Sequence, residues 1–389
     1  MDNLQMKKTA PFMFYVLYYA AISFSMPFII LYFQDLGFSG AQIGLLTGMA
    51  PLITLVGAPL WTGLADAKGK HKLVMSITIL AAVVFSSLFP FFKTIIPILL
   101  LVFVYSLFSA PINSFADSAT MTMLAGEKAM YGRVRIGGTI GWGLMAPLAG
   151  FIIQSYGLKW IFWGYAGIMM LTLFVSQKFT FGSNLTDAPV HWDVRKVLRN
   201  RNWAYFLILG FIGGIAFTSV NSYLAPYMKE LGANQSTVGI ALTISTLGEL
   251  PVLFFANRLL KRFGAYSLLK MGMIVTGIRL LLYAWFNFPM GILVFQLLNG
   301  MTYPLVWVAG VSYADENSLP GMKATAQGLW GAMVFGFGAS AGGLISGLML
   351  GSIGGQWMYL IIGCFVLAGV GIITLIDRAA GARPAKGLI

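Results

Sequence analysis

Twelve apolar segments follow one another through this 389-residue chain, separated by short polar connections. They run at about 11–33, 41–64, 73–91, 95–124, 132–155, 159–177, 204–228, 236–260, 266–287, 290–314, 322–350 and 355–377. A helix needs about 20 mostly apolar residues to cross a bilayer, and each segment is near that length. Only 10% of residues are charged and 58% are hydrophobic, against roughly 25% charged in an ordinary soluble domain. A soluble protein of this composition would lack the polar side chains to cover its surface, whereas lipid needs no such cover. The expected fold class is therefore an all-α membrane protein with 12 transmembrane helices. The one long hydrophilic connection, residues 178–203, divides it into an N-terminal six-helix bundle (1–177) and a C-terminal one (204–389). Lys7 and Lys8 precede the first apolar stretch, and no small-residue cleavage site follows it. We read it as a retained first span rather than a removed signal peptide.

The formal net charge is +13. Its distribution is more informative than its size. Starting inside, the inner connections hold twenty of the twenty-five Lys and Arg residues. The outer connections hold only Lys93, Lys159 and Lys229, and Arg135 and Arg279 fall within spans. This asymmetry predicts cytoplasmic termini and a multi-pass protein of the cell's cytoplasmic (inner) membrane. The basic loops are expected to meet lipid headgroups. Nucleic acid is excluded as a partner, because no basic stripe with interleaved aromatics occurs. The single cysteine, Cys364, lies in an apolar run and is expected to be a buried, inert thiol. His71 and His191 fall in predicted loops. Neither a metal site, a nucleotide-binding loop nor a hydrolytic triad can be composed from these residues, so no cofactor and no enzyme activity are expected.

The two halves repeat at a spacing of 195. Tyr32 meets Tyr227, Asp35 meets Glu230, and Leu36 meets Leu231. Gly37, Gly44 and Gly69 meet Gly232, Gly239 and Gly264. A duplicated six-helix unit implies two pseudo-symmetric bundles that rock around a central cavity.

Four groups of residues stand out against this frame. GLADAKGKHK, residues 63–72, joins spans 2 and 3. Gly63 would permit close helix approach, Asp66 would cap a helix end and pair with nearby bases, Gly69 would make the tight turn, and Lys70 would add charge. Asp117 and Arg135 lie on spans 4 and 5, nine positions either side of the turn near residue 126. On antiparallel helices they stand at similar depth. Ionisable groups inside spans are costly and face a cavity or a partner, so the pair is either a substrate site or a structural tie between the two helices. Glu249 and Arg279 are levelled in the same way about Gly264, on spans 8 and 9. Trp142 follows Arg135 by two helical turns and shares its face, where it could stack on a sugar ring or a flat aromatic.

YGRVRIGGTIGWGL, residues 131–144, resembles the span-5 signature of the lactose, nucleoside and phenylpropionate permease branches of the major facilitator superfamily. LGELPVLFFANRL (247–259), TGIRL (276–280) and QLLNGMTYP (296–304) are similar to the span-8, span-9 and span-10 motifs of those branches. Residues 63–72 resemble the superfamily's cytoplasmic gating loop. The resemblance implies that Asp117 and Arg135 bind substrate with Trp142 stacked on it. It also implies that Glu249 is a proton-coupling carboxylate beside Arg279, with Asp117 a second candidate. The departures are Asn299, where the lactose and phenylpropionate permeases have His, and Thr302, where the lactose permease has a proton-carrying Glu. Asn299 cannot titrate near neutral pH, and is expected to be a polar substrate contact. GWGLMAPLAG (141–150) half resembles a motif of drug–proton antiporters.

These readings lead to one expectation. The chain should be a monomeric secondary transporter that moves a small organic solute by alternating access, with protons as co-substrate. A sugar or glycoside is favoured, then a nucleoside or aromatic carboxylate. A proton-coupled exporter and an uncoupled facilitator are the alternatives.

Overall fold

The computed structural model describes residues 2–125, 128–182, 201–318 and 322–379. Most of the central loop, with His191, lies outside them. Ten of the expected spans are separate helical runs: Lys8–Asp35, Gly40–Lys68, His71–Phe91, Ile95–Met123, Met130–Tyr156, Arg201–Glu230, Gln235–Phe263, Ala265–Trp285, Pro289–Glu316 and, at lower length, Trp160–Ser176. The last long run, Thr325–Ala379, is 55 residues long. It contains both remaining spans, because the chain turns only at Gly354, with φ of 80°. Among the described residues the count is twelve, numbered here as spans 1 to 12 in chain order.

The chain divides into two compact units. One holds residues 1–186 together with 233–243, the other 187–232 and 244–389. The first turns of span 8 thus belong with the first unit. There Thr243 Oγ1 donates to the Gly143 carbonyl at 2.9 Å, and the Ser236 amide donates to Gln154 Oε1 at 3.2 Å.

The repeat is carried by backbone geometry as well as by residue type. Gly37 and Gly232 both sit at positive φ, 78° and 84°, and Gly69 and Gly264 at 61° and 76°. A side chain is disfavoured there, so glycine ends both turns. Ser39 and Asn234, again 195 apart, cap spans 2 and 8. Ser39 Oγ accepts from the Gln42 amide at 3.3 Å, and Asn234 Oδ1 accepts from the Thr237 amide at 2.9 Å. The paired tyrosines repeat their contact too. Tyr32 Oη donates to the Phe89 carbonyl (3.0 Å), and Tyr227 Oη donates to the Tyr283 carbonyl (2.7 Å).

Spans 1 and 7 are the most buried, at 61% and 72% of their most apolar stretch, and spans 2 and 8 are buried over only 28%. Close packing of spans 1 and 5 depends on small residues. A Cβ at Gly141 would lie 2.0 Å from the Val16 carbonyl oxygen, and one at Gly137 would lie 2.7 Å from that of Phe12. Membrane helices approach this closely only where side chains are absent.

Three expectations need correction. Cys364 is exposed rather than buried, because a helix in lipid is apolar on its outer face as well as its inner one. His71 is not a loop residue but the first residue of the span-3 helix. A Cβ at Gly63 would meet no atom within 4 Å, so close packing is not what places glycine there.

Candidate functional site

Each unit holds a polar cluster around an arginine inside its spans. In the first, Asp117 and Arg135 do not touch directly. Span 1 comes between them with two tyrosines one helical turn apart. Tyr15 Oη donates to Asp117 Oδ1 at 2.5 Å. Arg135 donates through Nη2 to Tyr19 Oη, and its Cζ stands 4.9 Å from the Tyr15 ring centroid and 4.5 Å from that of Tyr19. A guanidinium over aromatic faces is held by the ring quadrupoles. Asn113, one turn before Asp117, donates to Asp117 Oδ2 at 3.3 Å and accepts from Tyr19 Oη at 3.5 Å. The glycines of the span-5 motif make this possible. A Cβ at Gly138 would sit 2.8 Å from both the Tyr19 ring and the Arg135 guanidinium. Trp142 is half-buried and, among the described residues, takes no ring or cation partner.

In the second unit Arg279 is 2% exposed. It donates through Nε to Tyr283 Oη (2.8 Å), through Nη1 to Asn299 Oδ1 (2.6 Å) and Thr302 Oγ1 (3.1 Å), and through Nη2 to Gln296 Oε1. Three of these partners come from one irregular stretch. Residues Gln296–Met301 form a 3-10 helix, with three residues per turn, so positions 296, 299 and 302 stack along one side. In an α-helix each would be offset from the last by about 60°, so that 296 and 302 would diverge by about 120°. Asn299 then faces both ways, since its Nδ2 donates to Glu249 Oε1 at 2.6 Å. The carboxylate and the guanidinium are thus joined through a neutral amide. Spans 8 and 10 are in backbone contact at this level. A Cβ at Gly300 would lie 2.0 Å from the Gly248 carbonyl oxygen, and one at Gly248 would lie 2.5 Å from that of Leu297. Gln296 Nε2 is buried with no protein partner among the described residues.

Sequence reasoning singled out the four ionisable residues, Trp142 and Asn299, but missed Tyr15, Tyr19, Asn113, Tyr283 and Gln296. A signal was present. Tyr15 with Tyr19, Asn113 with Asp117, and Arg279 with Tyr283 are polar or aromatic pairs at i, i+4, which puts both members on one helix face.

The 63–72 loop is built locally. Gly69 takes the left-handed conformation at the end of span 2, and its amide and that of Lys70 donate to the Asp66 and Ala65 carbonyls. The Asp66 carboxylate meets His71 Nε2 at 2.6 Å. Lys70 stands at the N-cap of span 3 without a side-chain capping bond.

Among the described residues, twelve spanning helices in two repeated sets of six, with glycine-packed pairs and charged groups held inside the spans, have the architecture of a multi-pass membrane transporter of the major facilitator type. The chain belongs to the MFS_1 like family, whose model matches residues 12–361. It is 24% identical to the maltose permease of Geobacillus stearothermophilus, with 96% of each chain covered. It is 27% identical to the multidrug resistance protein MdtG of Escherichia coli O17:K52:H18 (strain UMN026 / ExPEC), with 78% of each covered. The structure of the nucleoside transporter NupG superposes with a TM-score of 0.79 at 18% identity, covering 97% of this chain and 100% of the other, and shares the fold.

Proposed function

We propose that the chain takes up a small polar organic solute by alternating access, coupled to protons, as a monomer in the cytoplasmic membrane with both termini inside. A sugar or glycoside is the first substrate class, and a nucleoside or aromatic carboxylate the second. The observation that carries this reading is the first cluster. It offers a carboxylate acceptor, an amide, a guanidinium donor and tyrosine hydroxyls within one small region, with Trp142 unpartnered two turns along span 5. Hydroxyl-rich solutes need donors and acceptors together with a flat apolar face. In this reading Asp117 accepts substrate hydroxyls, Arg135 donates to its oxygens, and Trp142 stacks on its ring. The similarity to a maltose permease along nearly the whole length of both chains supports the sugar class.

Glu249 is the proton carrier and Arg279 sets its field through Asn299. Because no direct ion pair joins them, a proton can bind Glu249 without breaking a salt bridge. The similarity to a multidrug resistance protein favours a second reading, proton-driven export. Uptake into proteoliposomes decides between them. With an inward-directed proton gradient, the wild type should accumulate labelled maltose or a related glycoside. Glu249→Gln should lose accumulation and keep substrate exchange. Accumulation by Glu249→Gln at the wild-type rate overturns the coupling assignment. Resistance of expressing cells to lipophilic cations, without glycoside uptake, establishes export instead.

A further inference from the structure

On the outer face of the first unit, spans 3 and 6 leave a groove with a cavity volume of about 610 Å³. Its floor and walls are Leu73, Ile77 and Leu80 from span 3 with Leu173 and Phe174 from span 6. The three span-3 residues follow at four and three positions, so they form one stripe, and they are 54%, 45% and 47% exposed. From Lys72 to Leu80 the groove is about 12 Å long at 1.5 Å per residue, close to the roughly 15 Å of one leaflet's hydrocarbon in a core of about 30 Å.

One end of the groove is polar and basic. Lys72 Nζ donates to the Gln177 carbonyl oxygen, and Gln177 Nε2 donates to Ser76 Oγ at 2.9 Å. An ammonium has three donors; one is used here. Lys70 and Lys178 flank the same end and are exposed. The nearby acid, Asp66, is held by His71 at 2.6 Å. Among the described residues this end therefore carries more basic than acidic groups, Lys70, Lys72 and Lys178 against Asp66, where the apolar lining stops.

We propose that this groove is a binding site for one anionic phospholipid, its acyl chain along Leu73, Ile77, Leu80 and Phe174 and its phosphate on Lys72. The length suits a single leaflet, and the charge favours an anionic over a zwitterionic headgroup. A basic side chain near anionic lipid contributes about 1 kcal/mol, which is about a fivefold preference.

The test uses the full chain purified in neutral detergent. Phosphatidylglycerol and phosphatidylcholine with identical acyl chains are titrated, and bound lipid is counted by native mass spectrometry. The wild type should prefer phosphatidylglycerol about fivefold. Lys72→Gln should bring the two lipids to near parity, and Lys72→Arg should keep the preference. Ile77→Trp fills the groove and should weaken both lipids. A fivefold preference surviving in Lys72→Gln overturns the headgroup assignment. Unchanged lipid binding by Ile77→Trp overturns the groove. Competition by soluble glycerol phosphate at the same concentration as phosphatidylglycerol would show a free-phosphate site and overturn the lipid.

Discussion

The first and second six-helix halves of the chain share a frame and differ in what they place inside it. At the spacing of 195, turn glycines, helix caps and the buried tyrosine that ties span 1 or 7 to the end of span 3 or 9 all recur. The interior polar residues do not. Arg135 has Trp330 as its counterpart, and Tyr15 and Tyr19 have Gly210 and Gly214. Trp330 is fully buried and stacks on Phe206 at 4.5 Å. A Cβ at Gly210 would lie 2.7 Å from it. Volume is exchanged across the helix pair: a large residue on span 11 goes with glycines on span 7, whereas span 5 keeps glycines and span 1 the large rings. Conversely, Glu249, Arg279 and Asn299 have Thr54, Val84 and Val104 as counterparts. The first cluster takes its ionisable groups from spans 4 and 5, the second from spans 8 and 9. Duplication has preserved what folds each unit and released what each unit binds.

The largest expected effect separates the two arginines. Arg279 is buried and its four partners are neutral oxygens. Arg279→Leu leaves Asn299, Gln296 and Thr302 without their donor, at roughly 1–3 kcal/mol for each unsatisfied buried group. Thermal unfolding in detergent should show a marked fall in stability, with little folded protein recovered. Arg135→Ala removes a half-buried group resting on rings, so folding should persist while substrate affinity falls at least about tenfold, the equivalent of 1.4 kcal/mol. Equal loss of stability in the two variants would break the contrast.

A second comparison sets two glycines of identical type against each other. Gly300→Ala drives a methyl group into the Gly248 carbonyl and forces spans 8 and 10 apart. Overpacking of this kind costs about 1–3 kcal/mol, and it should also separate Asn299 from Glu249 and impair accumulation. Gly63→Ala meets open space inside a helix, where alanine is favoured by about 1 kcal/mol over glycine. It should leave stability unchanged or slightly higher. Loss of folding in Gly63→Ala would mean that this glycine packs in another conformation.

How much of this was legible in the sequence follows the same division. The spans were readable because hydropathy over twenty residues reports a transfer free energy that nothing local can override. Asp117, Arg135, Glu249 and Arg279 were readable because charge inside such a segment is conspicuous. The breaks within spans were not. Span 4 is interrupted at Ala110 and Pro111, and span 10 passes through its 3-10 turn between Gln296 and Met301. Pro111 and Pro304 were the local cues, since proline removes a backbone donor and disturbs the preceding turn. The alignment of Gln296, Asn299 and Thr302 depends on three residues per turn, whereas an α-helical reading fans them over about 120° and turns Thr302 away from Gln296. Tyr15 and Tyr19 were hidden for another reason. Tyrosines are common in apolar spans, and only the approach of span 5 along Gly137, Gly138 and Gly141 gives these two a charged partner.

The smallest expected effect tests the sameness of the two frames. Ser39 and Asn234 begin spans 2 and 8, and each side-chain oxygen accepts from a backbone amide one turn on. Those amides have no partner within the helix, so each cap contributes about 1 kcal/mol. Ser39 adds a reciprocal bond, with Gln42 Oε1 accepting from its own amide at 2.9 Å, and Asn234 takes a second bond from Thr237 Oγ1 at 2.8 Å. Ser39→Ala and Asn234→Ala should therefore lower stability by similar amounts, about 1 kcal/mol each, and the double variant should lose close to the sum, because the caps share no partner. Substrate affinity should not move in either. If only one cap matters, or if the double variant falls well short of additivity, the repeated turns are alike in geometry without carrying the same load in each half of the sequence.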